Sequence, residues 1–158
     1  MNGKAGNGLA QYTFTDIEYA HRKRGARLEE FLGTMEKLLP WGKWTEQIRP
    51  LYPDGKRGRP PIGIETMLRM MLLQDWFDLS AEAVEDIVYD SYAMRKFLHV
   101  DFLERQVPSA TSLLRFRRLL RKAGLESVIR DEVDLRLATE GLLLQRGVMA
   151  DPKLIKKQ

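Results

Sequence analysis

A helix that is apolar around most of its circumference has little face to give to water, and residues 62–77, the most apolar segment of the chain, read as such a helix. Ile64, Met67, Leu68, Met71 and Leu72 recur at three- and four-residue spacing, and Met70 and Leu73 carry the apolar cover well around the cylinder. An element of this kind must be enclosed by others. The chain offers several amphipathic segments to enclose it: Leu28, Phe31, Leu32, Met35, Leu38 and Leu39, stopped by Pro40; Val84, Ile87 and Val88 behind a capping Ser80; Met94, Phe97 and Leu98 in residues 92–98; and Leu125, Val128, Ile129, Val133 and Leu137, ending near Gly141. Trp41 and Trp44, at i and i+3, read as part of the same core. The expected fold is therefore mainly α, a compact multi-helix domain over residues 14–141, and 158 residues with 44% apolar content suffice for one core. Ahead of it, residues 1–13 read as a mobile tail, and the short alternating stretch Tyr12–Ile17 reads as an extended arm.

The best functional lead is the segment Pro108 to Gly124. Ser109 or Thr111 can cap its start, and Gly124 can take the left-handed conformation that ends a helix. Leu113, Phe116, Leu119 and Leu120 fall on one side, while Arg115, Arg117, Arg118, Arg121 and Lys122 are assigned to the other. From Arg105 to Lys122 there are six basic residues and no acidic one, so no carboxylate within the helix neutralises them. A face of this kind suits a polyanion, and suits a plain solvated surface about equally well. Arg57 and Arg59, in the stiff basic connector Lys56 to Pro61, are further candidates for DNA contact, with a simple linker as the blander account.

The net charge of +4 is modest, but the charges are segregated: Asp78 to Asp90 holds five acidic residues and no basic one, whereas Arg22, Lys23, Arg24 and Arg27 cluster near the start. Glu82, Glu85 and Asp86 lie far from any His or Gly-rich loop, so they read as a solvated or salt-bridged face and not as a metal site. The chain has no Cys and only two His, His21 and His99, which removes disulfides, thiolate sites and imidazole clusters. No apolar run is long enough to span a bilayer and no cleavable signal is visible, so no membrane partner and a cytoplasmic, nucleoid-associated location are expected. Near the C-terminus, Leu142–Leu144 and Val148–Ala150 flank a turn at Gln145-Arg146-Gly147, the signature of a hairpin, with Asp151 at the end of its second run and a basic tail from Lys153.

Several motifs, in order, resemble one known family. Met35-Glu36 with Leu38-Leu39-Pro40-Trp41, Gly58-Arg59-Pro60-Pro61 leading into Glu65-Thr66-Met67-Leu68-Arg69, Leu79-Ser80 with Glu85-Asp86, and Leu113-Leu114-Arg115-Phe116-Arg117 resemble the N-terminal domain of bacterial DDE transposases of the insertion sequence five family. The resemblance implies a helical domain with a helix-turn-helix-like region that binds the terminal inverted repeats of double-stranded DNA. It also implies a following ribonuclease-H-like domain whose Asp, Asp and Glu hold Mg²⁺ or Mn²⁺. In that scheme residues 92–98 support the helix after Pro108, residues 142–158 begin a truncated catalytic domain, and Asp151 takes the place of the first catalytic, metal-binding carboxylate. Pro152-Lys153 replaces the family's usual small residue and Thr there. With one carboxylate of three, the chain is expected to be catalytically incomplete and to hold no cofactor of its own. The alternative is a helical interaction module that forms homo-oligomers, or mixed oligomers with a full-length transposase.

Overall fold

The computed structural model describes residues 14–53, 61–100, 107–147 and 151–157, with side chains from residue 25 onward. Helix α1 spans Phe14–Leu38, and α2 spans Trp41–Ile48 and runs on into a single 3-10 turn, Arg49–Leu51. Then come α3 (Ile64–Trp76), α4 (Ala81–Asp90), α5 (Tyr92–Leu98), α6 (Ala110–Lys122) and α7 (Leu125–Thr139), followed by strands β1 (Leu142–Gln145) and β2 (Lys153–Lys156). The protein is thus mainly α with a short C-terminal antiparallel hairpin, as the periodicity implies. The extended arm over Tyr12–Ile17 is not found, because α1 already begins at Phe14. Helix propagation is cheap once nucleated, and the stretch from Glu18 to Arg24 holds good helix formers and no Pro, so the packed half of α1 extends backwards through it.

Helix α3 is the centre. Ten of its thirteen residues are buried, and α2, α4, α5 and α6 all pack on it. A chain of aromatic contacts ties the helices together: Phe31 to Trp76 at 5.5 Å between ring centroids, Phe97 to Trp41 at 5.7 Å and Trp41 to Trp44 at 5.5 Å, all edge-on, and Trp76 to Phe97 at 5.9 Å with the rings tilted. Trp44 also donates its indole N–H to Glu132 Oε2 at 2.9 Å, which pins α2 to α7.

The apolar periodicity passes over Arg69, which is 1% exposed in the middle of α3. Its guanidinium lies over the rings of Trp41 and Phe97, at 4.2 and 4.8 Å from their centroids. It donates to Glu65 Oε1 from Nε (3.1 Å) and Nη2 (2.8 Å), to the Phe97 carbonyl (2.9 Å) and to Glu36. A buried charge is tolerable only when paired and hydrogen-bonded, and here both conditions are met. Glu36, Trp41, Glu65 and Arg69, from the first two motifs of the resemblance, thus converge on one structural knot.

The hairpin differs from expectation in its second strand. The partner of β1 is Lys153–Lys156, in the register Leu142 to Lys156 and Gln145 to Lys153, so the supposed basic tail is a strand and Asp151 precedes it. Residues 148–150 lie outside the described residues. The reason is apolar: Leu154 pairs with Leu144, and both pack against the core together with Leu142.

Candidate functional site

Helix α6 starts where its chemistry directs. Ser109 is extended and its side chain accepts from the Ser112 N–H at 3.1 Å, and Gly124 ends the turn at φ +73°, a conformation that costs an L-residue but not glycine. A second side-chain contact to the first turn comes from across the fold: the Glu85 carboxylate Oε1 accepts from the Ala110 N–H at 3.0 Å. Glu85 is therefore not part of the solvated acidic face, which among the described residues consists of Glu82, Asp86 and Asp90 on α4. The helix that supports α6 is also α4, and not α5, which packs instead on α1, α3 and α4.

The basic residues of α6 divide into two sets. Leu113, Phe116 and Leu120 are buried as expected, and Arg117 is buried with them at 8% exposure, which corrects its assignment to the solvent-facing side. Its Nη1 donates to Gln74 Oε1 at 2.6 Å and its Nη2 to Asp75 Oδ1 at 2.8 Å, with Glu126 Oε1 at 3.5 Å. Arg117 stands at i+4 from Leu113 and i−3 from Leu120, so the helical wheel places it beside the core, and carboxylates from α3 and α7 make that position tenable. Arg130 of α7 completes the cluster, donating to both oxygens of Asp75 at 3.1 and 3.2 Å. That hydrogen-bonded carboxylate holds the Arg130 pKa above its ordinary value, against the effect of partial burial. Among the described residues Arg121 reaches only Glu126, at 3.5 Å.

Arg115, Arg118 and Lys122 behave differently. They follow one another at i, i+3 and i+7 along the outer edge of α6, with Thr111 one turn earlier, and all four are exposed. None of the three cations forms an ion pair or hydrogen bond with a described residue. Beside this ridge, between α6, α7 and the end of α3, lies an open cleft of about 780 Å³ lined by charges of both signs, among them Arg118, Arg121, Asp131, Asp134 and Arg146.

Of the other sequence candidates, Arg57 and Arg59 lie outside the described residues. Asp151 is exposed just before β2, away from the α6 ridge in the chain, and among the described residues no three His, Cys, Asp or Glu side chains are grouped so as to hold a metal ion. A two-metal centre needs several converging carboxylates, and no reaction step is assigned to Asp151. Asp75, Glu126 and Arg130 were not singled out by sequence. Their signal is visible only in combination: a carboxylate near the end of the apolar helix, and an acid and a base at i and i+4 at the start of α7.

Comparison with known families finds a match to a model described as "Transposase domain (DUF772)" over residues 20–119, from within α1 into the last turn of α6. No solved structure matches the chain. Among the described residues no helix is long and apolar enough to cross a membrane.

Proposed function

Because the chain belongs to the transposase-domain family DUF772, we propose that it is the DNA-binding part of an insertion-sequence transposase, with α6 as the element that meets the terminal inverted repeats of the transposon. The observation that carries this reading is the ridge of Arg115, Arg118 and Lys122: three cations with no partner among the described residues, on the outer edge of a helix whose other basic residues are engaged by carboxylates. Cations without partners among the described residues, on one edge of a helix, are available to phosphate oxygens. An Arg that enters the major groove can also bind guanine through two hydrogen bonds. Helix α6 is held rigidly for this role by α3, α4 and α7, and Glu85 and Ser109 fix its first turn.

In this reading the chain supplies recognition, and the strand-transfer chemistry of the insertion sequence five family lies with carboxylates beyond the single Asp151. Mg²⁺ or Mn²⁺ belongs to that complete centre.

The test is the salt dependence of binding to a labelled duplex carrying the element's ends. Neutralising one phosphate contributes about 0.9 to the slope of log affinity against log salt, so Arg118→Ala should reduce the slope by about that amount. Binding that is insensitive to salt would favour instead a protein-interaction module, a reading to which the mixed-charge cleft gives some support.

A further inference from the structure

Glu126 is an unusual carboxylate. It is 7% exposed, its Oε2 is buried with no hydrogen-bond partner, and its Oε1 is shared among three guanidinium groups at long distances: Arg130 at 3.3 Å, Arg117 at 3.5 Å and Arg121 at 3.5 Å. A buried acceptor left half unmet is costly, so such a group draws any donor within reach. The three arginines do not depend on it equally. Arg117 and Arg130 each have a shorter and better bond to Asp75, at 2.8 and 3.1 Å. Arg121 has no other acidic partner among the described residues, and its side chain is 70% exposed.

From this asymmetry we infer that Glu126 is a positioning residue that withholds Arg121 from DNA, restricting the phosphate contacts of α6 to Arg115, Arg118 and Lys122. The inference rests on the DNA-binding reading above. Arg121 follows Arg118 by three residues and sits on the flank of the ridge, so a freed side chain reaches the same surface. Removing the charge of Glu126 releases Arg121 alone, because Asp75 retains the other two. The isosteric amide keeps an oxygen for Arg117 and Arg130, so the local packing is preserved.

The experiment compares wild type, Glu126→Gln, Arg121→Ala and the double variant with a short labelled DNA duplex across a range of salt concentrations, with circular dichroism to confirm that each is folded. Glu126→Gln should bind more tightly at low salt and steepen the log–log slope by about 0.9, one further phosphate. Arg121→Ala should leave the wild-type slope unchanged, and in the double variant it should abolish the gain. Arg121 is exposed, so its substitution gives an answer even if Glu126→Gln does not fold. A wild-type slope that falls on Arg121→Ala as it does on Arg118→Ala would show that Arg121 already serves, and would overturn the inference. So would an unchanged slope in folded Glu126→Gln. If replacing Arg115, Arg118 and Lys122 together leaves binding untouched, the DNA-binding reading fails as well; if that replacement removes binding while Glu126→Gln does nothing, only the present inference fails.

Discussion

Two buried arginines, Arg69 and Arg117, meet carboxylates at two places along α3, and the two clusters are built for different ends. Arg69 is enclosed: the rings of Trp41 and Phe97 cover its guanidinium, a main-chain carbonyl and two glutamates accept its hydrogen bonds, and it is 1% exposed. The Arg117 cluster opens on a cleft. Glu126 is buried and Asp75 partly so, but Arg121 and Arg130 reach them from solvent, and one oxygen of Glu126 has no partner among the described residues. The first cluster closes the core of the protein, and the second sorts the cations of α6 into those the fold uses and those left facing outward. A basic residue in the sequence therefore carries no functional meaning until its intramolecular partner is known.

The comparison is broken most forcefully at Arg69. Arg69→Ala leaves a void against Trp41 and Phe97 and should cost about 3–5 kcal/mol in chemical denaturation, the range for deleting a large core side chain. Arg69→Met, which restores much of the volume, should cost clearly less, because Glu36 and Glu65 are each 41% exposed and can return to water. Equal losses in the two variants would show that the hydrogen bonds, and not the packing, hold this knot.

Arg117→Ala should be milder, about 1–3 kcal/mol, since Asp75 keeps Arg130 and the cleft admits water to the vacated donors' partners. A loss as large as that of Arg69→Ala would mean that the second cluster is as much a part of the core as the first.

The difference between these arginines and their neighbours also marks how far the sequence can be read. Period and punctuation identify α3 as the hub, Ser80 as a cap, Ser109 as one of two cap candidates and Gly124 as the left-handed stop, because these follow from spacing and from single-residue backbone preferences. Arg69, Arg117 and Glu85 escape such a reading, since burial of a charge is decided by partners that are 33, 42 and 25 residues away in the chain. Strand β2 escapes for a similar reason: Leu154 and Ile155 are too few to announce a strand, and only the pairing of Leu154 with Leu144 makes them one. Helical spacing sets Arg115, Arg118 and Lys122 on one edge of α6 and Arg117 and Arg121 on the adjacent one, but it does not show that Arg117 is buried against Asp75.

Acid should produce a smaller effect, one that separates the glutamates. Burial raises the Glu36 pKa, but Arg69 and His99 outweigh it and hold the group below its ordinary value; at Glu132 burial is likewise outweighed by Lys43, Trp44 and Arg136. A carboxylate depressed in the folded state contributes stability that is present above its unfolded pKa and is lost as pH falls through the folded one. Urea melts taken down through the acid range should therefore show a shallower decline for Glu36→Gln and for Glu132→Gln than for wild type. Parallel declines in all three would contradict the assigned partners.

The most direct measurement sets Arg117 against Arg118, adjacent residues of one basic run. Duplex binding is followed against salt for each alanine variant under conditions where both are folded. Arg118→Ala should lower the log–log slope by about 0.9, and Arg117→Ala should leave it at the wild-type value, because its charge is already neutralised by Asp75. If Arg117→Ala lowers the slope as much as Arg118→Ala does, or if neither changes it, the division of α6 into an inward and an outward set is wrong.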